Sequence, residues 1–152
     1  MLTNGSDKKI FSSLDAANLK YQKEVVIPEG IEGIGGGCFY SNYNLEKIIF
    51  PNSLKRIAIS AFEGCSKLKE VVLPSGVEEI ADCAFKNCYN LKKVILDCPD
   101  TQFNNSAFYG ATEITEIFYR GSKDQWYRLV HQVSEFQAPG ILIHCSDGDL
   151  RL

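Results

Sequence analysis

Six cysteines and two histidines are the residues of this 152-residue chain with the widest chemical repertoire. Thiolates and imidazoles can hold zinc, and a cysteine beside a histidine can become an activated nucleophile. Cys83 and Cys88 lie five residues apart, but both His131 and His144 are distant in sequence, which matches no standard zinc spacing. His144 and Cys145 are adjacent, yet neighbouring residues of a strand point to opposite faces. The pattern therefore predicts neither a metal site nor a catalytic cysteine.

A glycine-rich segment and the acidic residues offer two further chemistries. Residues 33–37 read Gly-Ile-Gly-Gly-Gly, but neither the Gly-Lys-Ser/Thr sequence nor the strand–helix frame of a phosphate-binding loop accompanies them. A tight turn explains the segment instead. The chain has only two histidines, and no two of its carboxylates are spaced in a recognisable acid–base motif. It therefore offers few residues for general acid–base catalysis. We therefore expect a protein that is not an enzyme and that has no cofactor.

Composition narrows the class of protein. Hydrophobic residues make up 45% and charged residues 23% of the chain, which is typical of a folded soluble protein and excludes disorder. The net charge of −3 excludes the broad basic surface that non-specific nucleic-acid binding needs. No apolar run approaches the roughly 18–20 residues that cross a bilayer, so membrane insertion is not expected. A chain of this length can bury about 68–70% of its unfolded surface, so it needs no disulfide framework.

A 23-residue repeat organises most of the chain. Phenylalanine, proline, the aliphatic residue that opens each unit and a further apolar residue all recur with this one period. These four columns are Phe39, Phe62, Phe85 and Phe108; Pro28, Pro51 and Pro74, with Asp97 in fourth place; Leu45, Leu68, Leu91 and Ile114; and Ile34, Ile57, Ile80 and Phe103. Because one unit cannot bury its apolar side alone, the units must stack and share a continuous core.

Each unit is predicted to form one turn of a solenoid. In the unit that begins at Leu68, residues 68–73 are alternating and β-branched, as in a short strand. Pro74 ends this strand because proline has no N–H to donate to a parallel ladder. A second short extended stretch at residues 77–80 and a tight turn that carries Ala84-Phe85 complete the unit.

The repeat resembles a known family. The pattern Leu-x-x-Val-x-Leu-Pro-x-x-Val-x-x-Ile-x-x-x-Ala-Phe-x-x-Cys is similar to the BspA-like (Treponema pallidum type) leucine-rich repeat, and residues 21–119 carry it. The resemblance implies an α/β leucine-rich-repeat solenoid with 23-residue repeats, mainly short parallel strands, short helices and capping elements. Relatives are often bacterial surface or secreted proteins that bind host proteins, extracellular matrix or other cells. The resemblance therefore implies non-catalytic recognition and cell adhesion.

Residues 1–20 and 120–152 are predicted to cap the two ends of the array. At the N-terminal end, Ser12 or Ser13 suits the N-cap of a short helix. At the C-terminal end, Ser122-Lys123-Asp124-Gln125 matches a capping box, and a helix with Trp126, Leu129, Val130 and Val133 on one face follows it. A strand at residues 141–143 and a hairpin turn at Asp147-Gly148 would complete this cap. From this finished cap we expect the chain to end where the protein ends.

Two columns of strand residues are predicted to face outward. One alternates in charge, which favours ion pairs between neighbouring turns that fix register, or alternatively the polar rim of a binding site. The other is an apolar stripe of roughly 20 Å, which reflects either strand propensity and cap coverage or a contact surface, with Ile95 and Phe118 as the best anchors. The first column is Glu24, Lys47, Glu70, Lys93 and Glu116, and the second is Val26, Ile49, Val72, Ile95 and Phe118. All of these residues except Glu24 are predicted partner-binding residues.

The predicted function is binding of a protein partner, from the host, the matrix or the cell, through the strand face. An intracellular adaptor and a self-assembling structural protein, which would be a homo-oligomer, remain alternatives. The resemblance implies a secreted or cell-surface location, whereas Met1–Lys9 lack the apolar stretch of a signal peptide, so a cytoplasmic location is the alternative. Cys65 and Cys88 share a column and should be buried thiols, although a disulfide between them is sterically conceivable.

Overall fold

The computed structural model of the chain describes residues 8–152. Residues 1–7, which belong to the expected N-terminal cap, lie outside the described residues. They include most of Met1–Lys9, the segment in which the sequence shows no signal-peptide pattern. The elements in chain order are β1 (Ile10–Phe11), α1 (Ser13–Ala17), β2 (Glu24–Val26), β3 (Gly33–Ile34), β4 (Lys47–Ile49), β5 (Arg56–Ile57), β6 (Glu70–Leu73), β7 (Glu79–Ile80), β8 (Lys93–Leu96), β9 (Gln102–Phe103), β10 (Glu116–Tyr119), α2 (Lys123–Leu129), β11 (Leu142–Cys145) and β12 (Gly148–Arg151).

Two strand faces run along the solenoid, as the 23-residue period predicts. The short-strand face has the order β1-β3-β5-β7-β9, and every pairing in it is parallel. The long-strand face carries β2, β4, β6, β8 and β10, followed by β11 and β12. Val71 pairs with Val94 and Ile57 pairs with Ile80, each 23 residues apart, so the sequence period is the structural register.

The phenylalanine column forms the centre of the core. The rings of Phe39, Phe62, Phe85 and Phe108 stack with centroids 5.1–5.2 Å apart, and Phe62, Phe85 and Phe108 are fully buried. Offset stacked aromatic pairs add about 0.5–1.5 kcal/mol beyond the area that they bury. The column therefore stabilises each turn through its neighbours, which is the defining property of a repeat solenoid.

The cysteine column is a second buried ladder. Cys65 and Cys88 are fully buried free thiols, and each Sγ donates a hydrogen bond to a backbone carbonyl of the preceding turn. The acceptors are the carbonyl oxygens of Phe39, at 3.2 Å, and Phe62, at 3.3 Å. Burial raises the pKa of the Cys65 thiol to about 12. These thiols act as small core residues that also satisfy a turn carbonyl, and no disulfide joins them.

The N-terminal end contains a strand that the sequence pattern does not predict. β1 pairs in parallel with β3, and the Phe11 ring stacks 5.9 Å from Phe39, so this segment adds one more rung and one more ring to the array. The close approach explains a glycine of the following turn, because a Cβ on Gly35 would lie only 3.2 Å from the backbone carbonyl oxygen of Phe11. The helix expected next is present as α1, with Ser12 as its N-cap and Asp15 in a capping box.

The C-terminal end is closed by α2 and two single-turn 3-10 helices. Ser122 caps α2 by accepting the Gln125 N–H, as predicted, and Trp126 is buried. The expected continuous helix is wrong beyond Leu129, where the chain tightens into 3-10 turns at Val130–Gln132 and Ser134–Gln137. The second of these turns inserts Phe136, whose ring lies 5.0 Å from Phe108 and 5.8 Å from Trp126. Phe136, rather than Trp126 directly, covers the open end of the phenylalanine column.

Candidate functional site

The nine predicted contact residues lie on β2, β4, β6, β8 and β10, on the outer side of the long-strand face. Residues alternate along each strand, so Ile48 is buried while Lys47 and Ile49 on either side of it face outward. The apolar stripe is present, but its exposure is uneven. Val26 is 61% exposed, Ile49 38% and Val72 37%, whereas Ile95 and Phe118 are half-buried. The exposed part of the stripe therefore lies on its first three strands, and not at the two residues expected to be its best anchors.

The long-strand face opens between β4 and β6. Within residues 8–152, a single long backbone hydrogen bond joins these two segments, from the Lys69 N–H to the Glu46 carbonyl oxygen, at 3.4 Å. Proline removes one of the hydrogen bonds that could bridge this opening. Asp97 and Arg120, which follow β8 and β10 at the position of Pro74, each donate their N–H to the preceding turn at 3.0 Å. Pro74 has no N–H with which to make the equivalent bond across the opening.

Two cavities flank the opening, and Val72 lines both. One, of about 340 Å³, is bordered by Lys47 and Glu70. The other, of about 400 Å³, has Ile49 on one side and the polar side chains of Asp97 and Arg120 on the other. The neighbouring exposed residues Ile49 and Val72 are thus surrounded by charged groups, which is the anatomy of a small contact surface with an apolar centre and a polar rim.

The charge-alternating column does not form the predicted ladder. Among the described residues, only its first step, from Glu24 to Lys47 at 3.9 Å, is an ion pair. The Lys93 ammonium lies 4.8 Å from the centroid of the Phe118 ring, where it makes a cation–π contact. The ion pairs occur instead in the adjacent column, where Glu46 lies 3.8 Å from Lys23 and 3.6 Å from Lys69. Glu70 and Lys93 have no ion-pair partner within residues 8–152, and this favours the rim interpretation.

A histidine clamp covers the C-terminal end of the stripe. The His144 ring stacks on Phe118 with centroids 4.3 Å apart, while Nε2 lies 2.9 Å from Glu116 Oε1 and Nδ1 lies 3.0 Å from Asp149 Oδ1. Carboxylates only accept hydrogen bonds, so both contacts are hydrogen bonds only when the imidazole carries two protons. The bond to Glu116 is the main cause of a raised pKa for His144. The clamp explains why Phe118 is half-buried.

The residues that could have done chemistry have structural partners. His144 uses both ring nitrogens in the clamp, and burial, followed by the charge of Asp147, raises the pKa of the neighbouring Cys145 thiol. A raised thiol pKa is the opposite of what a nucleophilic cysteine needs. Within residues 8–152, no group of three or more potential ligands is placed to hold a metal ion.

Asp97 and Arg120 are site residues that the sequence analysis does not select. Both stand in the column that proline occupies in the first three units, and both line the cavity beside Ile49 and Val72. The signal that could have identified them is their departure from the column. A proline replaced by a charged residue gains both a backbone N–H and a side chain capable of contacting a partner.

The stacked parallel strands, the 23-residue register and the continuous apolar core define the class of protein as a leucine-rich-repeat solenoid. The sequence profile of the BspA type leucine-rich repeat region matches six copies over residues 12–127, and the chain belongs to this family. Membership of this family indicates a protein-interaction repeat module, since such repeats generally serve in recognition rather than in catalysis.

Solved bacterial structures share the fold. The chain is similar to a leucine-rich cell surface protein of Faecalibacterium prausnitzii, with 26% identity and a TM-score of 0.63 over 71% of this chain and 35% of that one. It is similar to the leucine-rich repeat protein of T. pallidum, with 26% identity and a TM-score of 0.60 over 63% and 45% of the two chains. The pneumococcal vaccine antigen PcpA shares the fold, at 17% identity and a TM-score of 0.53 over 82% and 41%. The chain thus spans between about a third and under half of the length of these structures.

No curated protein matches the sequence. None of the helices in the described part of the chain is both long and apolar enough to cross a membrane.

Proposed function

We propose that this chain is a recognition module that binds a protein partner through the long-strand face, with Ile49 and Val72 at the centre of the contact. The observation that carries the proposal is the exposure of these two neighbouring apolar residues beside an opening in the sheet. A strand face that served only to support the fold would be expected to pair across this opening. Adhesion to a host protein, as in a bacterial surface protein, is the form of this function that the resemblance favours.

The surrounding charges supply the specificity of the proposed contact. Lys47 and Glu70 border one side of the apolar pair, and Asp97 and Arg120 border the other, so both signs are present within one small area. Charged groups at the rim of an interface select partners and accelerate encounter more than they add affinity. The predicted rim residues Lys93 and Glu116, and the stripe residues Val26, Ile95 and Phe118, lie outward from this centre on the same face.

The experiment compares two charge-introducing double variants of the same chain. Ile49→Glu/Val72→Glu places two carboxylates at the centre of the proposed contact. Ile10→Glu/Ile59→Glu makes the same chemical change at two exposed isoleucines outside the long-strand face. Both variants should keep the far-UV circular dichroism and the thermal midpoint of the parent, because all four side chains are already exposed.

Each protein is then immobilised and offered a bacterial lysate and a panel of extracellular-matrix proteins. We expect the parent and the Ile10→Glu/Ile59→Glu variant to retain the same bound protein, and Ile49→Glu/Val72→Glu to lose it. Equal retention by all three proteins would contradict the proposal. Light scattering after size exclusion tests self-assembly, since a parent dimer that only Ile49→Glu/Val72→Glu converts to a monomer would assign the face to a second copy of this chain.

A further inference from the structure

A third cavity lies at the N-terminal end of the array, away from the opening in the long-strand face. It has a volume of about 300 Å³ and lies between α1 and the turn of the first repeat. Three tyrosines line it, and all are exposed: Tyr40 by 59%, Tyr43 by 60%, and Tyr21 more than either. Tyr40 and Tyr43 belong to the turn of the first repeat and Tyr21 to the segment after α1, so two separate segments bring three exposed aromatic rings to one cavity.

A buried amide lines the same cavity. Asn42 is only 9% exposed, and it stands in the column that holds Cys65, Cys88 and Ala111 in the later repeats. Its Oδ1 accepts the backbone N–H groups of Asn44, at 3.1 Å, and Leu45, at 3.2 Å. Its Nδ2 has no protein partner within residues 8–152 and is not fully buried, so its two amide hydrogens are available to solvent or to a ligand.

The repeat geometry explains why these hydrogens remain. Each cysteine of the column donates to the carbonyl found 26 residues earlier in the chain. For Asn42 the equivalent carbonyl belongs to Ala16, where it already accepts the Leu19 N–H at 2.8 Å, at the end of α1. The chain therefore places a pair of strong donors, open to the cavity, where the neighbouring repeats place a weak thiol. A ligand oxygen that enters the cavity can accept a hydrogen bond from this amide.

The charge of the cavity narrows the ligand further. Among the described residues that line it, Lys20 is the single charged one, and its ammonium lies 4.9 Å from the centroid of the Tyr21 ring. The remaining polar groups, including Ser41 and Asn44, are neutral hydroxyls and amides. The cavity therefore combines aromatic faces, neutral hydrogen-bonding groups and one cation, whereas the chain as a whole has a net charge of −3.

We propose that this cavity binds an oligosaccharide that carries a carboxylate. The C–H face of a pyranose ring packs against the negative face of a tyrosine ring, as other positively polarised edges do. The Asn42 amide and the Ser41 hydroxyl meet ring hydroxyls, and the Lys20 ammonium meets the carboxylate in a charge-assisted bond. A cavity near the lower end of the roughly 300–1,000 Å³ range of ligand sites suits a sugar ring.

The repeat supplies matched controls for the test. Tyr109 holds the position of Tyr40 three repeats later, and Tyr89 holds that of Tyr43 two repeats later; both are exposed and neither lines the cavity. Tyr40→Ala/Tyr43→Ala therefore removes the proposed stacking surface, and Tyr89→Ala/Tyr109→Ala removes the same side chains elsewhere. Asn42→Asp keeps an oxygen for the two backbone N–H groups while it replaces the donor with an anion.

Saturation-transfer difference NMR measures binding of three probes: trigalacturonate, sialyllactose and the neutral cellotriose. We expect saturation transfer from the full chain to at least one of the two acidic sugars. The Tyr89→Ala/Tyr109→Ala variant should show the same saturation transfer as the parent. The Tyr40→Ala/Tyr43→Ala and Asn42→Asp variants should both lose it. Transfer to neither acidic sugar would overturn the proposal, as would equal transfer to cellotriose or transfer that survives Tyr40→Ala/Tyr43→Ala. Circular dichroism checks that each variant is folded, and the Ile49→Glu/Val72→Glu variant should bind the sugar like the parent, so this test is independent of the protein-binding proposal.

Discussion

Replacement of Phe85 by alanine tests the principle on which the fold rests. Its ring is fully buried and lies 5.2 Å from Phe62 and 5.1 Å from Phe108, nearly parallel to both. Truncation of a buried phenylalanine costs about 3–5 kcal/mol through lost burial and the cavity that remains. Two stacked pairs contribute about 1–3 kcal/mol of this, at about 0.5–1.5 kcal/mol each. Phe85→Leu keeps much of the volume and loses both ring contacts, so it should cost about 1–3 kcal/mol.

Urea unfolding followed by circular dichroism and by tryptophan fluorescence measures these costs. The circular dichroism signal reports the whole array, whereas the single tryptophan, Trp126, reports its C-terminal end. Tyr89→Ala is the control, since this aromatic side chain belongs to the same repeat but is exposed, and surface changes are usually within about 0.5 kcal/mol. If Phe85→Ala unfolded at the same urea concentration as Tyr89→Ala, the stacked column would not be what holds the turns together.

Three further perturbations test the caps, the clamp and the thiol ladder. The raised pKa of His144 means that its clamp adds stability fully below the ordinary value of 6.5 and loses it as the pH rises through the higher folded-state pKa. The stability difference between the parent and His144→Gln should therefore shrink from about pH 5.5 to about pH 8.5, with His131→Gln as the control, and a constant difference would contradict the clamp. Cys65 is fully buried, and its thiol has a pKa of about 12. It should therefore react with a thiol reagent only when the protein unfolds, and later than the half-buried Cys83. Equal labelling rates for the two cysteines would refute this order. Ser122→Ala should lower the free energy of unfolding by about 1 kcal/mol in urea titrations and Ser122→Asp should not, because only the alanine leaves an N–H of α2 uncapped.

The sequence predicts the fold because periodicity and register are the same quantity in a solenoid. Once Phe62 and Phe85 are known to be 23 residues apart, the pairing of Ile57 with Ile80 follows, and so does the burial of the phenylalanine column. The capping box at Ser122 is equally local, since its four residues carry all the chemistry that it needs. These features depend on residue type and spacing alone.

What the sequence does not predict depends on contacts between segments that do not repeat. Phe11 and Phe136 extend the phenylalanine column at its two ends, but neither stands in the 23-residue period of that column. Phe11 lies 23 residues before Ile34 and pairs with it, yet its ring stacks on Phe39, which the spacing alone does not indicate. The charge ladder fails for a related reason. Long exposed side chains choose among several partners of similar energy, and Lys93 lies over Phe118 instead of beside a carboxylate. Alternation of sign along one column does not decide between these partners.

Departures from the repeat are the most informative residues for function, because the repeat is its own structural reference. A residue that matches its column is explained by packing against the turns above and below. Asp97 and Arg120 do not match the proline column, and they line the cavity beside Ile49 and Val72. Asn42 does not match the cysteine column, and it brings to the tyrosine cavity an amide Nδ2 with no protein partner within residues 8–152. Asn42→Cys restores the residue type of the column. If this variant had a higher free energy of unfolding than the parent but no longer bound the sugar, asparagine at this position would lower stability in exchange for binding. Such an exchange is typical of a binding site.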